Sequence, residues 1–300
     1  MKEVAKIVLE PDSLWAKAKK QTEYALNCGA LNPIATDYQL LKDQDIDFLV
    51  RIINNLNRKD NAKKKQKKLS KDFNPFLPYE KDLFVAEISE NHVCLLNKFN
   101  VVDNHLLIIT REFESQETLL NLDDFAALSA CLLQVDGLGF YNSGKIAGAS
   151  QRHKHLQLVP FPFVLELPKT PIDKVIKTAK YQDNIGKISC FNFAHAIAKI
   201  SFNNSNVLEL AQQILETYNF LLKSLKIATD SQRKADPYNL LITREWMMII
   251  RRSQPKYESI SVNSLGFSGA LLVKDEQQLK KLKQLKPLTI LEKVAQQTHG

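Results

Sequence analysis

Two histidines and a glutamine, His153, His155 and Gln157, alternate along the stretch GASQRHKHLQLVP at residues 148–160. In an extended chain successive side chains alternate faces, so these three share one side about 7 Å apart, while Lys154, Leu156 and Leu158 take the other. The leucines belong to a core, and the polar row meets either water or a ligand. A wet strand face carries histidines without chemical purpose, and alternation alone does not separate the two readings. The surroundings favour a ligand. Gly144 and Gly148 let the backbone approach closely, and Asn142, Ser143, Ser150 and Gln151 supply polar groups able to hold phosphate oxygens.

A neutral imidazole, with an ordinary pKa near ~6.5, is uncharged at cellular pH and able to attack phosphorus. Attack gives a phosphoramidate and splits a difficult transfer into two easier steps. The second histidine can fix the tautomer of the first, and the Gln157 amide can bind a non-bridging oxygen. A histidine at that third position could also act as a general acid and help water finish the reaction. Glutamine makes hydrolysis less natural and transfer to another phosphate more so. A zinc site is the rival use of His-x-His, although no cysteine or carboxylate stands close in sequence to complete it.

The elements that must position these groups belong to a globular chain. With 300 residues, 44% hydrophobic and 25% charged, it is long enough to bury a core, and its composition makes neither disorder nor a fibrous fold the default. No apolar run approaches the ~20 residues of a membrane span, and MKEVAKIVLEPDS lacks a signal-like segment, so a cytoplasmic protein without a membrane partner is expected. Cys28, Cys94, Cys131 and Cys190 stand far apart and read as reduced thiols. The net charge of +8 suits an anionic partner. Much of that excess lies between Arg58 and Lys68, a run that reads as a solvated loop. An RNA-binding module built on it is the distant alternative, with no RNP-like or helix-turn-helix pattern behind it.

Helical spacing of Leu14, Ala18, Thr22 and Ala25 or Leu26 predicts a first helix that stops at Gly29. IDFLVRIINNL reads as a strand, and LFVAEI, HVCLLNKF and NHLLIITREF as an antiparallel meander. Phe125, Leu128, Leu132 and Val135 define a helix behind an Asn121 or Asp123 cap, and a glycine-containing turn then enters the histidine strand. Prolines 160, 162, 168 and 171 suggest a boundary near residue 165. Beyond it come a long amphipathic helix capped by Ser205, strands in YNLLITREWMMIIRRS, and a further strand in SGALLVKD. LLIITREF at 106–113 and LLITREW at 240–246 are near copies, which points to an internal duplication whose second copy lacks the histidine row.

GASQRHKHLQ, the run NPFLPYEKDLFVAEISENHVCLLNKFNVVDNHLLIITREFESQ, YNLLITREWM and SVNSLGFSGALLVKD together resemble the diadenosine tetraphosphate (Ap4A) phosphorylases, or ATP adenylyltransferases, of the transferase branch of the histidine triad (HIT) superfamily. The resemblance runs in order from about residue 45 to residue 275. It implies an α+β fold of tandem HIT-like units, residues 1–165 with the catalytic strand and 166–300 as a degenerate unit contributing substrate contacts. It also implies reversible cleavage of Ap4A by phosphate to ATP and ADP through an adenylyl-histidine. His155 would be the nucleophile, Gln157 would bind the α-phosphate, His153 would support the site and His105 would brace the strand. Lys59, Asn97, Lys98, Asn142, Gly148, Ala149, Ser150, Gln151, Asn263, Ser264, Leu265 and Lys274 match the family's substrate-binding positions. Nucleotides are the expected partners and nucleic acid is not; no cofactor is obligatory, although Mg2+ can travel with the polyphosphate. Within the same branch, a GDP-hexose phosphorylase or hexose-1-phosphate uridylyltransferase is the alternative.

Overall fold

The computed structural model describes residues 5–53, 73–167, 169–203 and 206–297. Helix α1 (Leu14–Asn27) buries Leu14, Ala18 and Ala25, as the periodicity predicts, and ends before Gly29 at φ +77°. Strands β1 (Thr36–Asp43) and β2 (Ile46–Ile53) pair antiparallel. β3 (Phe84–Glu87), β4 (His92–Leu96) and β5 (Leu106–Thr110) form the expected meander. Asn121 caps α2 (Leu122–Gln134): its side chain accepts the Asp124 N–H at 3.0 Å, while the Asp124 carboxylate accepts the Asn121 N–H at 2.8 Å.

The chain then runs through β6 (Gly137–Asn142) and β7 (His155–Pro160). Val135 is already extended at the end of α2 and is not part of its face. The second half adds α3 (Asp173–Ile176), β8 (Lys180–Gln182), β9 (Ile185–Lys187), β10 (His195–Lys199), α4 (Val207–Ser224), β11 (Tyr238–Ile242) and β12 (Trp246–Arg251). Asn206 caps α4 with its side chain on the Leu208 and Glu209 N–H groups; the expected cap, Ser205, lies outside the described residues. β13 (Lys256–Tyr257), β14 (Ile260–Ser261), α5 (Ser264–Phe267), β15 (Ala270–Val273), α6 (Glu276–Leu285) and α7 (Pro287–Val294) complete the order.

Ten strands make one sheet in the order β3-β4-β5-β7-β6-β11-β12-β10-β9-β8. Each half is a hairpin, a third strand, a helix and a final antiparallel pair, and the halves meet where Asn142 of β6 stands opposite Asn239 of β11. The near copies LLIITREF and LLITREW occupy unlike places in this order. β5 lies between β4 and β7, whereas β11 lies between β6 and β12, which makes β6 its counterpart. An apolar central strand closed by a Thr-Arg-Glu turn therefore recurs at two different positions, and the repeat is carried by strand order.

One face of the sheet packs on α1, α2 and α4 through a core that includes Leu156, Leu158, Phe125, Leu128, Ile214 and Tyr218. On the other face, Phe140, Val159, Leu241 and Met248 pack with residues of β2, β15, α5 and α7. There β2 is shared: it pairs antiparallel with β1 and parallel with β15, Leu49 opposite Ala270. The small three-stranded sheet is thus not purely antiparallel, and both ends of the chain build it. Lys154 lies on the helix face as the alternation predicts, 1% exposed, with Nζ 3.0 Å from the fully buried Asp124 and 2.7 Å from Glu114.

Candidate active site

His155 opens β7 and is 4% exposed. Its Nδ1 lies 2.8 Å from the His153 carbonyl oxygen, which can only accept, so Nδ1 carries the proton and Nε2 keeps its lone pair. The carbonyl of His153, rather than its ring, fixes the tautomer. Nε2 has no hydrogen-bond partner among the described residues. Burial pushes the imidazole down to about 4, against the pull of the bond to His153 and with some help from the His153 ring, so His155 is neutral near pH 7. His195 is the instructive contrast. Its Nδ1 sits 2.8 Å from the Phe193 carbonyl, but its Nε2 accepts the Ile188 N–H at 2.8 Å and is occupied.

Residues distant in sequence hold the histidine strand. Gln116, 1% exposed, accepts the His155 N–H at 2.8 Å through Oε1 and donates through Nε2 to the carbonyls of Asn142 and His155 at 2.9 and 3.2 Å. It ties the end of β6 to the start of β7. His153 Nε2 donates to the Thr110 carbonyl at 2.8 Å, and its Nδ1 accepts from Asn74 Nδ2 at 3.0 Å. Burial lowers its pKa too. The Phe76 ring covers both imidazoles, with centroids 5.6 Å from His153 and 5.4 Å from His155. Gln116, Asn74, Thr110 and Phe76 all lie in the motif run quoted above, yet their types give no hint of these roles.

Gln157 is half-buried on the same face, near a second hydrogen-bonded pair. Asn97 Oδ1 accepts the Phe99 N–H at 3.4 Å, so its Nδ2 donates to His105 Nδ1 at 3.1 Å and leaves the proton of His105 on Nε2. That Nε2 is buried without a hydrogen-bond partner among the described residues, and the nearby Gln157 amide pulls the imidazole pKa upward against burial. Burial takes His105 to about 4, so it stays a neutral donor.

Beside the strand lies a cavity of about 370 Å³ whose lining includes Gly148, Ala149, Ser150, Asn263, Leu265 and Lys274. Gly148 has φ +97°, and a Cβ there would stand 2.8 Å from the Val262 carbonyl oxygen, so the two loops lie back to back. Among the residues that line the cavity Arg51, Lys145 and Lys274 are cationic and none is acidic. Asn142, 1% exposed, accepts at Oδ1 from Asn239 Nδ2, the Ser264 N–H and Ser264 Oγ, at 2.8 to 2.9 Å, which leaves its Nδ2 without a partner among the described residues. Ser264 is fully buried behind Asn142. Arg252, which the sequence reading missed, donates to the carbonyls of Ala147, Val262, Gln254 and Val294 and to Asn239 Oδ1 without a carboxylate partner among the described residues. Lys98 pairs with Glu80 and, like Gln151, does not line the cavity. Lys59 and the lysine run lie outside the described residues.

Among the described residues no group of three or more His, Cys, Asp or Glu side chains is placed to hold a metal ion, so the two histidines do not complete a zinc site there. A proton-fixed imidazole on a strand beside a cavity with cationic and no acidic lining suits attack on phosphorus, the chemistry of a nucleotidyltransferase. Residues 4–178 match the Ap4A phosphorylase N-terminal domain and residues 189–297 the ATP adenylyltransferase C-terminal domain. The chain is 31% identical over 240 residues to diadenosine 5',5'''-P1,P4-tetraphosphate phosphorylase 2 of Saccharomyces cerevisiae, which covers 71% of this chain and 72% of that protein. It therefore belongs to the Ap4A phosphorylase family. The fold is also that of the crystal structure of yeast Ap4A phosphorylase Apa2, with a TM-score of 0.76 at 23% identity over 97% of this chain and 95% of that one. The same yeast protein in complex with Ap4A gives 0.74 at 22% identity over 98% and 100%.

Proposed function

We propose that this chain cleaves Ap4A with inorganic phosphate to ATP and ADP, reversibly, with His155 as nucleophile. The observation that carries the reading is the free Nε2 of a His155 whose Nδ1 proton is held on the His153 carbonyl. Nε2 attacks the phosphorus of one adenosine 5'-phosphate, the P–O bond to the remaining triphosphate breaks, and ATP leaves. Inorganic phosphate then attacks the AMP on His155, the P–N bond breaks, and ADP forms with the imidazole restored. Gln157 donates its NH2 to a non-bridging oxygen but carries no acidic proton for water chemistry, which favours phosphate as the acceptor. Asn142 Nδ2 and the 148–151 loop hold phosphate oxygens, Asn263, Leu265 and Lys274 shape the nucleotide end of the cavity, and positioning and charge supply the rest.

Residues 1–165 carry the chemical strand, and 166–300 lend Asn239, Arg252 and the 263–265 corner. A magnesium ion accompanying the polyphosphate counts as part of the substrate, and no resident cofactor enters the scheme. Four free cysteines and no helix among the described residues long and apolar enough to cross a membrane support a cytoplasmic site of action. Incubation with α-labelled Ap4A in the absence of phosphate, then denaturation and peptide mapping, is expected to place an acid-labile label on His155, and addition of phosphate to release it as ADP. Label on another residue, or turnover retained in His155→Asn, sinks the mechanism.

A further inference from the structure

We propose that Arg51 is a fixed anchor for a phosphate of the bound nucleotide beyond the phosphorus attacked by His155. The role deepens the nucleotidyl-transfer reading above and rests on it. Arg51 lies on the face of β2 that lines the large cavity, between Leu49 and Ile53 and opposite Leu272 of β15. It also lines an adjoining cavity of about 280 Å³ with Trp15, Asp103 and Phe161, so its guanidinium stands where the two spaces meet. Its direct hydrogen bonds among the described residues are to neutral groups. Nη1 donates to Thr36 Oγ1 at 3.3 Å, Nη2 donates to the Phe163 carbonyl at 3.0 Å, and the Tyr38 ring centroid lies 6.0 Å away.

No carboxylate among the described residues forms an ion pair with Arg51, and its Nε is buried without a hydrogen-bond partner. Asp103 acts on it through space, outweighed by burial, but forms no ion pair with it, and a half-buried guanidinium without a directly paired carboxylate favours an anionic ligand. An anion with several oxygens matches its planar fork. Lys145 and Lys274 share the cavity but are exposed, so Arg51 is the cation of this wall whose position is set before a ligand arrives. It makes no contact with His155, which assigns it to a phosphate further along the chain of the ligand.

The test compares ATP with AMP on the full chain, by calorimetric titration of wild type, Arg51→Met and Arg51→Lys, with the KM for Ap4A measured alongside. Loss of a charged hydrogen bond predicts that Arg51→Met weakens ATP by about 10- to 100-fold and AMP by less than about threefold, with the lysine variant intermediate for ATP. The KM for Ap4A rises in step with the ATP loss. Unchanged ATP affinity overturns the assignment, and so does an equal loss for ATP and AMP, which is the mark of a strut for Thr36 and Phe163. If Arg51→Met does not fold, Arg51→Lys carries the comparison: a loss confined to ATP supports the anchor, and an equal or absent loss removes it. A wild-type protein that neither consumes Ap4A nor labels His155 defeats the Ap4A reading, while the ATP-against-AMP comparison still decides Arg51.

Discussion

An exposed imidazole titrates near ~6.5 and is half protonated in a mildly acidic buffer. His155 sits at about 4 because burial penalises its charged form, so the proposed nucleophile stays neutral well below neutrality. The single-turnover rate of adenylylation, measured without phosphate, is therefore expected to stay within about twofold from pH 8 to pH 5.5 and to fall only toward pH 4. A midpoint near ~6.5 assigned to His155 contradicts the burial described here. The groups with chemistry were readable one by one, because alternation puts His155 and Gln157 on one face whatever the rest of the chain does. Their supports were not. Gln116 and Asn74 gain their roles from the crossing of β5, β6 and β7, and an amide looks the same in sequence whether it braces a catalytic strand or faces water.

At the scale of elements, the histidine strand is pinned to α2 by charge. Burial raises the Asp124 carboxyl, but the His92 hydrogen bond at 3.0 Å and the Lys154 ammonium at 3.0 Å overcome it and hold the group below the usual carboxylate range. Lys154→Met leaves that buried carboxylate short of one partner and is expected to cost about 3–5 kcal/mol in urea denaturation, near the value for breaking a buried pair. A loss below about 1 kcal/mol shows that the pair is not structural. Strands with continuous apolar runs, such as β4, β5 and β12, were legible. β1 was not, since half of its side chains are exposed and its apolar residues, Tyr38, Leu40 and Leu41, fall on both faces. β6 was hidden by Gly137 and Gly139, which weaken a strand reading. Their reason is tertiary: a Cβ at 137 would lie 2.4 Å from the Val159 carbonyl oxygen, and one at 139 would lie 3.0 Å from the Ile242 side chain.

For the whole molecule, burial holds His105, His155 and His195 neutral, each at about 4. The unfolded chain takes up those protons near ~6.5, so between these values it binds more protons than the folded chain and stability falls as pH falls. Each histidine contributes a slope of about 1.4 kcal/mol per pH unit inside that window and nothing above it. The melting temperature is expected to be level from pH 8 to 7 and to drop steadily from 6.5 to 4.5; a flat profile through the lower range refutes neutral burial of the three rings.

The parallel seam between β2 and β15 also sets a timetable for synthesis. On the ribosome the histidine strand can find its neighbours once the first half has emerged, but the floor of the cavity of about 370 Å³ waits for Ala270–Val273 to arrive beside Leu49–Ile52. A nascent chain thus sets His155 on its strand well before β15 arrives to close the wall beside β2.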